Sequence, residues 1–209
     1  HPLACDFGMG NLDMFTATPK DPKDPVLPEM LDRFLAATLA FGHAPYLCVD
    51  AMFSPRQHHA FGYALGNAKY DPEAGLPLVL RSYFMVRPAS ERYSLATAEE
   101  ILYLGADGTW RDVSAAILSG DRKMNRIAVR YSDGTCVVAK GDKKLRLKAT
   151  AFGRKLDLPP TGYAVWTADG SLEIESSDRF GSRVDYSASP EAVFLDTREA
   201  KAPVVFPRA

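Results

Sequence analysis

The sequence predicts two structural parts, an α/β segment over residues 1–95 followed by an antiparallel β-sandwich over residues 96–209. Three observations indicate this division. Short apolar runs flank a helical pattern in the first part. Two long connections rich in Pro, Gly and aromatic residues separate the elements of that part. Three Asp-Gly pairs, each between two apolar-rich runs, lie in the second part.

The composition is that of an ordinary globular protein, with 46% hydrophobic and 24% charged residues in a chain of 209. Lys and Arg number 25 against 26 Asp and Glu, and this balance argues against a nucleic-acid partner. No apolar run approaches the roughly 18–20 residues needed to span a bilayer. The three cysteines, Cys5, Cys48 and Cys136, are widely spaced and are expected to be buried small hydrophobic residues.

The first part begins with a predicted strand–helix–strand unit. The run PLAC (2–5) is short and apolar, as expected for a strand covered on both faces. Pro28 begins a helix that Gly42 ends, and APYLCV (44–49) predicts the second strand. The helix has a packed face at i, i+3 and i+4 spacing, formed by Leu31, Phe34, Leu35, Thr38 and Leu39. Two strands joined by a helix predict a parallel pair with a right-handed crossover.

A second helix is predicted over residues 75–96, in GLPLVLRSYFMVRPASERYSLA. Its apolar face is expected to consist of Leu76, Leu80, Tyr83 and Phe84. Pro88 lies in the middle of this run and is expected to kink or interrupt the helix.

The second part reads as a series of β-hairpins. Asp107-Gly108, Asp133-Gly134 and Asp169-Gly170 each lie between apolar-rich runs, and Asp-Gly is a strong hairpin signal because both positions tolerate positive φ. The runs RVDYSASP, AVFLDT and APVVF predict further strands, and VSAAILSG predicts at most a short helix. The aromatic side chains Trp110, Tyr163 and Trp166 are expected in the core.

Asp6 and Asp50 are the candidate catalytic residues. Each follows the C-terminal end of a predicted parallel strand, and ligands bind at that edge in barrels and open α/β sheets. Neighbouring strands lie about 4.8 Å apart, and glycoside hydrolysis needs two carboxylates roughly 5–9 Å apart. Asp6 also lies beside a Gly- and Met-rich loop, where partial desolvation is expected to raise its pKa. The simpler interpretation is that each Asp ends a strand or caps a turn.

Aromatic residues in the two connections are candidates for stacking on sugar rings. These candidate substrate-binding residues are Phe15, Tyr46, Phe53 and Tyr63, with His58 as a hydrogen-bonding partner for a sugar hydroxyl. For His58 the alternative is a plain exposed loop position. No Gly-rich phosphate loop, G-x-S-x-G, H-E-x-x-H or C-x-x-C motif occurs, so we predict no cofactor and no metal.

An N-terminal histidine permits one metal alternative. Copper-dependent polysaccharide monooxygenases bind copper through an N-terminal His and a second His. Here His1 would be completed by His43, His58 or His59. The residues that follow His1 read as α/β rather than as a sandwich strand, which argues against this alternative.

The order of these parts resembles the C-terminal part of certain large glycoside hydrolases of the α-galactosidase and endo-α-N-acetylgalactosaminidase kind. The runs that carry the resemblance are RSYFMVRPASERY, EEILYL, VRYSDGT and LDLPPTGYAVWTADG, of which LPPTGY is the distinctive string. The resemblance implies that residues 1–95 are the C-terminal portion of a (β/α)₈ barrel of the TIM type and that residues 96–209 are the following β-sandwich. Where many such sandwiches have V-x-V-N, this chain has VVAKG, so no particular sugar is implied.

A full barrel needs about 250 residues, and the resemblance supplies only its last two strands. We therefore expect a second polypeptide, or self-assembly, to complete the barrel, and the N-terminus to be a processing or fragment boundary. The functional hypothesis is part of a carbohydrate-active enzyme that hydrolyses glycosidic bonds, active if another chain supplies the rest of the barrel. The alternative is a non-catalytic structural or sugar-binding subunit. The compartment stays open, with a secreted or periplasmic location favoured.

Overall fold

The computed structural model describes residues 26–43, 72–142, 144–179 and 182–198. The chain divides into two compact units, residues 1–95 and residues 96–209. Two helices make up the described elements of the first unit, whereas the second unit is mostly antiparallel sheet. Within these ranges, no helix has both the length and the apolar character needed to cross a membrane. The predicted strands at 2–5 and 44–49 lie outside the described residues.

Helix α1 spans Val26–Ala40, and its predicted packed face is confirmed. Leu31, Phe34, Leu35, Thr38 and Leu39 are each at most 2% exposed. The predicted stop is also confirmed, because Gly42 has a left-handed φ of 64°. The following amide, that of His43, donates to the Thr38 carbonyl at 2.9 Å, which satisfies one of the helix's terminal carbonyl groups.

Helix α2 spans Pro72–Tyr93 and packs against α1. The expected interruption at Pro88 is wrong, since the helix continues through it to Tyr93. The expected apolar face is also wrong at Leu80 and Tyr83, which are both 41% exposed. Among residues 80–93 of α2, where the structure describes side chains, the buried residues are Arg81, Ser82, Met85, Val86, Ala89, Ser90 and Tyr93.

The buried face of α2 includes a charged residue as well as apolar ones. The Nη2 atom of the buried Arg81 lies 3.4 Å from Asp32 Oδ1 of α1, which compensates part of the cost of burying the guanidinium. Tyr83 instead lies at the surface beneath the Arg87 guanidinium, 5.0 Å from the ring centre, and Arg87 pairs with Glu91. A count of apolar side chains therefore selects the wrong face at Leu80 and Tyr83, whereas the buried face carries Arg81 beside Asp32.

The second unit contains ten described strands, one short helix and one 3₁₀ turn. The strands are β1 Ala98–Leu104, β2 Trp110–Asp112, β3 Arg126–Tyr131, β4 Cys136–Lys140, β5 Leu147–Ala151, β6 Arg154–Leu158, β7 Tyr163–Trp166, β8 Glu173–Arg179, β9 Ser182–Ala188 and β10 Val193–Asp196. Helix α3 spans Val113–Ser119, as the sequence predicts, and the 3₁₀ turn spans Asp121–Met124. Eight strands form one antiparallel sheet in the order β10-β9-β8-β7-β4-β3-β1-β2, and β5 and β6 form a separate hairpin. The predicted antiparallel β structure is thus confirmed.

All three Asp-Gly pairs connect adjacent strands, as predicted, but by a different turn. Only the glycines have positive φ, at 79° for Gly108, 82° for Gly134 and 71° for Gly170. Gly134 N donates to the Tyr131 carbonyl at 3.0 Å and Tyr131 N donates to the Thr135 carbonyl at 2.9 Å, as in a three-residue loop with a left-handed glycine. The aspartate carboxylate accepts a backbone N–H two residues further on, which is why Asp suits the position.

The β5–β6 hairpin covers one face of the sheet and closes the core. Its turn, Phe152-Gly153, has positive φ at both residues, 47° and 80°, a geometry that sequence rules do not associate with Phe. Hairpin and sheet residues form one buried cluster: Leu104, Ala128, Cys136, Val138, Leu147, Ala151, Leu156, Leu158, Ala164 and Trp166.

The core assignments made from sequence hold where the structure describes them. Tyr163 and Trp166 are buried, and Trp110 packs half-buried against the cluster while its Nε1 donates to the Thr150 carbonyl at 2.9 Å. Cys136 is buried as predicted, and desolvation raises the pKa of its thiol. Cys5 and Cys48 lie outside the described residues.

Candidate functional site

The second unit buries a polar cluster on strands β8 and β9, which we call the Asp185 network: Ser176, Arg183, Asp185 and Arg198. Ser176 and Asp185 are opposite each other in the sheet register, and neither is exposed at all. Because buried charges are costly unless they are paired and hydrogen-bonded, the contacts of this cluster decide what it can do.

Each polar atom at the centre of the network has a partner. Ser176 Oγ donates a hydrogen bond to Asp185 Oδ1 and accepts one from Arg183 Nε at 3.0 Å. Asp185 Oδ2 accepts from Arg198 Nε at 2.6 Å and lies 2.5 Å from Arg198 Nη2. The carboxylate is therefore held by one serine hydroxyl at Oδ1 and by two nitrogens of one arginine at Oδ2.

Arg183 fastens the distinctive LPPTGY string to this network. Its Nη1 donates to the Pro160 carbonyl at 2.7 Å and its Nη2 donates to the Thr161 carbonyl at 2.9 Å. Thr161 adopts a left-handed φ of 57°, a conformation that a β-branched residue rarely takes. The two arginine hydrogen bonds hold the strained turn between β6 and β7 against β9.

Gly162 is required where this turn passes the sheet. A Cβ built there would lie 2.8 Å from the Pro159 carbonyl oxygen and 3.0 Å from the Ser176 carbonyl oxygen. Both of these atoms belong to backbone that other hydrogen bonds hold in place, so neither can move freely.

We expect Gly162→Ala to lower the free energy of unfolding by about 1–3 kcal/mol, the usual cost of overpacking. Gly108→Asn is the matched control, because Gly108 has open space around it and Asn tolerates its positive φ. Chemical denaturation of both variants measures the difference. Equal stability of the two variants would show that the turn accommodates a side chain.

The contacts of the Asp185 network indicate a structural role and not a catalytic one. Ser176 is fully buried and its oxygen also accepts a hydrogen bond from Arg183, so it is not accessible to a substrate as a nucleophile. No group of three or more side chains that could hold a metal ion occurs in the described ranges, so neither the Asp185 network nor its described surroundings form a metal site of that kind. The cluster joins β8, β9 and the Pro159–Gly162 turn.

Carboxyl groups elsewhere in the second unit are shifted in the direction opposite to that of a general acid. The Arg111 hydrogen bond lowers the pKa of Asp107, and the Arg146 hydrogen bond lowers the pKa of Asp157. Burial acts to raise the pKa of Asp142, but hydrogen bonds from Lys140 and two backbone amides outweigh it and lower the value. A general acid near neutral pH needs a raised pKa, so these three groups are unsuited to that role.

The predicted catalytic residues Asp6 and Asp50 lie outside the described residues. The predicted substrate-binding residues also lie outside them: Phe15, Tyr46, Phe53, His58 and Tyr63. That Asp6 and Asp50 lie close to each other and to these residues remains a prediction. The Asp185 network was missed from sequence, because Arg183, Asp185 and Ser187 alternate along β9 in a pattern typical of a solvent-facing strand.

Comparison with known proteins finds no matching family model, no matching curated protein and no matching solved structure. The functional assignment therefore depends on the residues of this chain.

Proposed function

We propose that the chain is part of a carbohydrate-active enzyme that hydrolyses glycosidic bonds, with catalysis in the first unit and a non-catalytic β unit after it. In this proposal residues 1–95 are the C-terminal portion of a (β/α)₈ barrel that a second polypeptide completes. Residues 96–209 are the β-sandwich that follows the barrel. Asp6 and Asp50 supply the carboxylate pair.

One observation supports the proposal that catalysis lies in the first unit and not in the β unit. The carboxyl groups of the β unit with shifted pKa values, Asp107, Asp142 and Asp157, are all shifted downward by cationic or backbone donors. Asp185, the fully buried carboxylate, is occupied by Ser176 and Arg198. Groups held as carboxylates in this way are poor proton donors near neutral pH, which favours a general acid elsewhere in the chain.

The glycosidase part of the proposal is supported by the resemblance at LPPTGY. That string forms the Pro159–Gly162 turn, where Arg183 binds two carbonyl oxygens and Gly162 has no room for a side chain. A distinctive sequence string at such a constrained turn is better explained by a shared architecture than by local composition.

The test is hydrolysis of activated aryl glycosides by the full chain together with its assembled partner. We expect Asp6→Asn to lower kcat by about a hundredfold or more, the usual contribution of general acid–base catalysis. KM should change far less, because the proton moves in the transition state and not in the ground state.

Asp24→Asn is the control, since it makes the same chemical change elsewhere in the first connection. Equal kcat values for the Asp6 and Asp24 variants would reduce Asp6 to a strand-end residue. Absence of hydrolysis by the unmutated assembly would give first place to the alternative function, a structural or sugar-binding subunit.

A further inference from the structure

Two buried cations face each other at one end of the sheet. Arg126 on β3 and Lys140 on β4 are cross-strand partners, so their side chains leave the same face. Arg126 is 8% exposed and Lys140 is not exposed at all. Like charges directly opposite each other on a sheet are destabilising, and burial makes the repulsion stronger.

Only one of the two cations is neutralised by the residues around it. Lys140 Nζ lies 2.7 Å from Asp142 Oδ2 and donates to the Asp142 carbonyl at 3.1 Å. The other carboxylate oxygen, Asp142 Oδ1, accepts the backbone amides of Lys144 and Leu145 at 2.7 and 3.3 Å. Both carboxylate oxygens of Asp142 therefore already have partners other than Arg126.

The Arg126 guanidinium makes no hydrogen bond and no ion pair with any residue in the described part of the chain, and its buried Nε is without a partner. Native proteins pair a buried arginine with a carboxylate, a phosphate or carbonyl oxygens because its desolvation is costly. With Lys140 paired to Asp142, the cluster is left with one positive charge and a guanidinium whose buried Nε–H has no acceptor.

At the strand ends beside the cluster, the backbones of β3 and β4 approach each other closely and the flanking residues lie at the surface. Asn125, which precedes Arg126, is exposed and has a left-handed φ of 51°. Gly141 N donates to the Asn125 carbonyl at 2.7 Å, and a Cβ at Gly141 would lie 3.2 Å from Asn125 Cβ. The strand ends therefore close tightly beside the two cations, while Asn125 and the half-buried Asp142 lie at the surface.

We propose that Arg126 and Lys140 form a binding site for a small oxyanion, which supplies the negative charge that the cluster lacks. Arg126 binds two oxygen atoms in the bidentate geometry of arginine with carboxylate, phosphate or sulfate. Lys140 adds a third donor from the opposite strand.

The pKa of Lys140 depends on the charges that surround it in this site. Burial lowers the pKa of Lys140, Asp142 opposes that effect, and the Arg126 charge lowers the pKa further. A bound anion would favour the charged ammonium and so relieve the repulsion between the two strands. The site therefore stabilises the junction of β3 and β4 only when it is occupied.

The oxyanion has two possible sources, a free inorganic anion or the carboxylate of an acidic sugar. The second source depends on the proposed function, whereas the first does not. Binding measurements with sulfate, phosphate and glucuronate separate the two sources without any assay of hydrolysis, so failure of the glycosidase proposal leaves this one testable.

The experiment is thermal unfolding of the full chain in increasing concentrations of each anion, at ionic strength held constant with sodium chloride. We expect Tm to rise and saturate with at least one oxyanion, because a ligand that binds only the folded state stabilises it. Arg126→Met should weaken anion binding by about tenfold or more, since hydrogen bonds to charged groups are lost. Without anion, this variant should be no less stable than the parent, because an unpaired buried charge has been removed.

Arg130→Met is the matched control. Arg130 lies on the same strand but is exposed and paired with Glu100 at 2.9 Å, so its loss should leave the anion effect intact. Lys140→Met provides a second test of the site if the Arg126 variant fails to fold. An equal Tm rise in the parent and in the Arg126 or Lys140 variant would overturn the proposal, as would no rise beyond that in chloride.

Discussion

Replacing Asp185 with Ala is expected to lower the free energy of unfolding by about 3–5 kcal/mol, the cost of removing one partner from a buried charged pair. Asp185 is fully buried and binds Ser176 and Arg198, so its loss leaves the Arg198 guanidinium, itself 16% exposed, without this carboxylate. The Ser176 hydroxyl loses its acceptor as well. Urea denaturation followed by circular dichroism measures the change.

Asp157→Ala is the matched control for the loss of Asp185. Asp157 is also paired with an arginine, at 2.8 Å from Arg146 Nε, but its side chain is 50% exposed. Exposed ion pairs contribute about 0–1 kcal/mol, so this variant should remain close to the parent in stability. Similar losses for both variants would mean that the Asp185 network has no greater structural role than a surface ion pair.

Leu147→Ala is expected to destabilise the protein by about 2–5 kcal/mol, as for other large-to-small changes in well-packed cores. Leu147 is 1% exposed and lies opposite Leu158 in the β5–β6 hairpin, which is equally buried. Truncation leaves a cavity between the hairpin and the sheet. Thermal and chemical denaturation should agree on the size of the loss.

The chain offers an internal control two residues earlier. Leu145 is 55% exposed, so Leu145→Ala makes the same chemical change outside the core and should alter stability by only about 0.5 kcal/mol. If the Leu145 variant lost as much stability as the Leu147 variant, the hairpin would not be packed on the sheet through its Leu147 side.

The sequence predicts best where a local pattern alone determines the structure. The face of α1 follows from apolar spacing, and the three Asp-Gly turns follow from the need for a left-handed glycine and a short carboxylate. The prediction fails where the burial of a side chain involves a partner that is distant in the sequence. Arg81 is buried beside Asp32 of another helix, and no pattern within α2 indicates that such a partner exists.

The Asp185 network shows the same limit at the level of the candidate site. Strand β9 alternates polar and apolar residues, which indicates one exposed face, yet Asp185 and Ser187 are buried. The partners of Asp185 are Ser176 on β8 and Arg198 after β10, so the burial of Asp185 depends on strand pairing. The candidate residues Asp6 and Asp50 rest on a similar assumption about pairing, and they remain predictions.

The order of strands in the sheet has a consequence for how the second unit folds. Within the eight-stranded sheet, five of the seven pairings join strands that are consecutive in sequence, and the other two, β1 with β3 and β4 with β7, pass over the inserted residues 105–125 and 141–162. The entropic cost of closing a loop grows only slowly with its length, so these insertions add little to the folding barrier. Pairings between neighbouring segments lower the contact order relative to a sheet of the same size with more crossover connections, and a lower contact order favours faster folding.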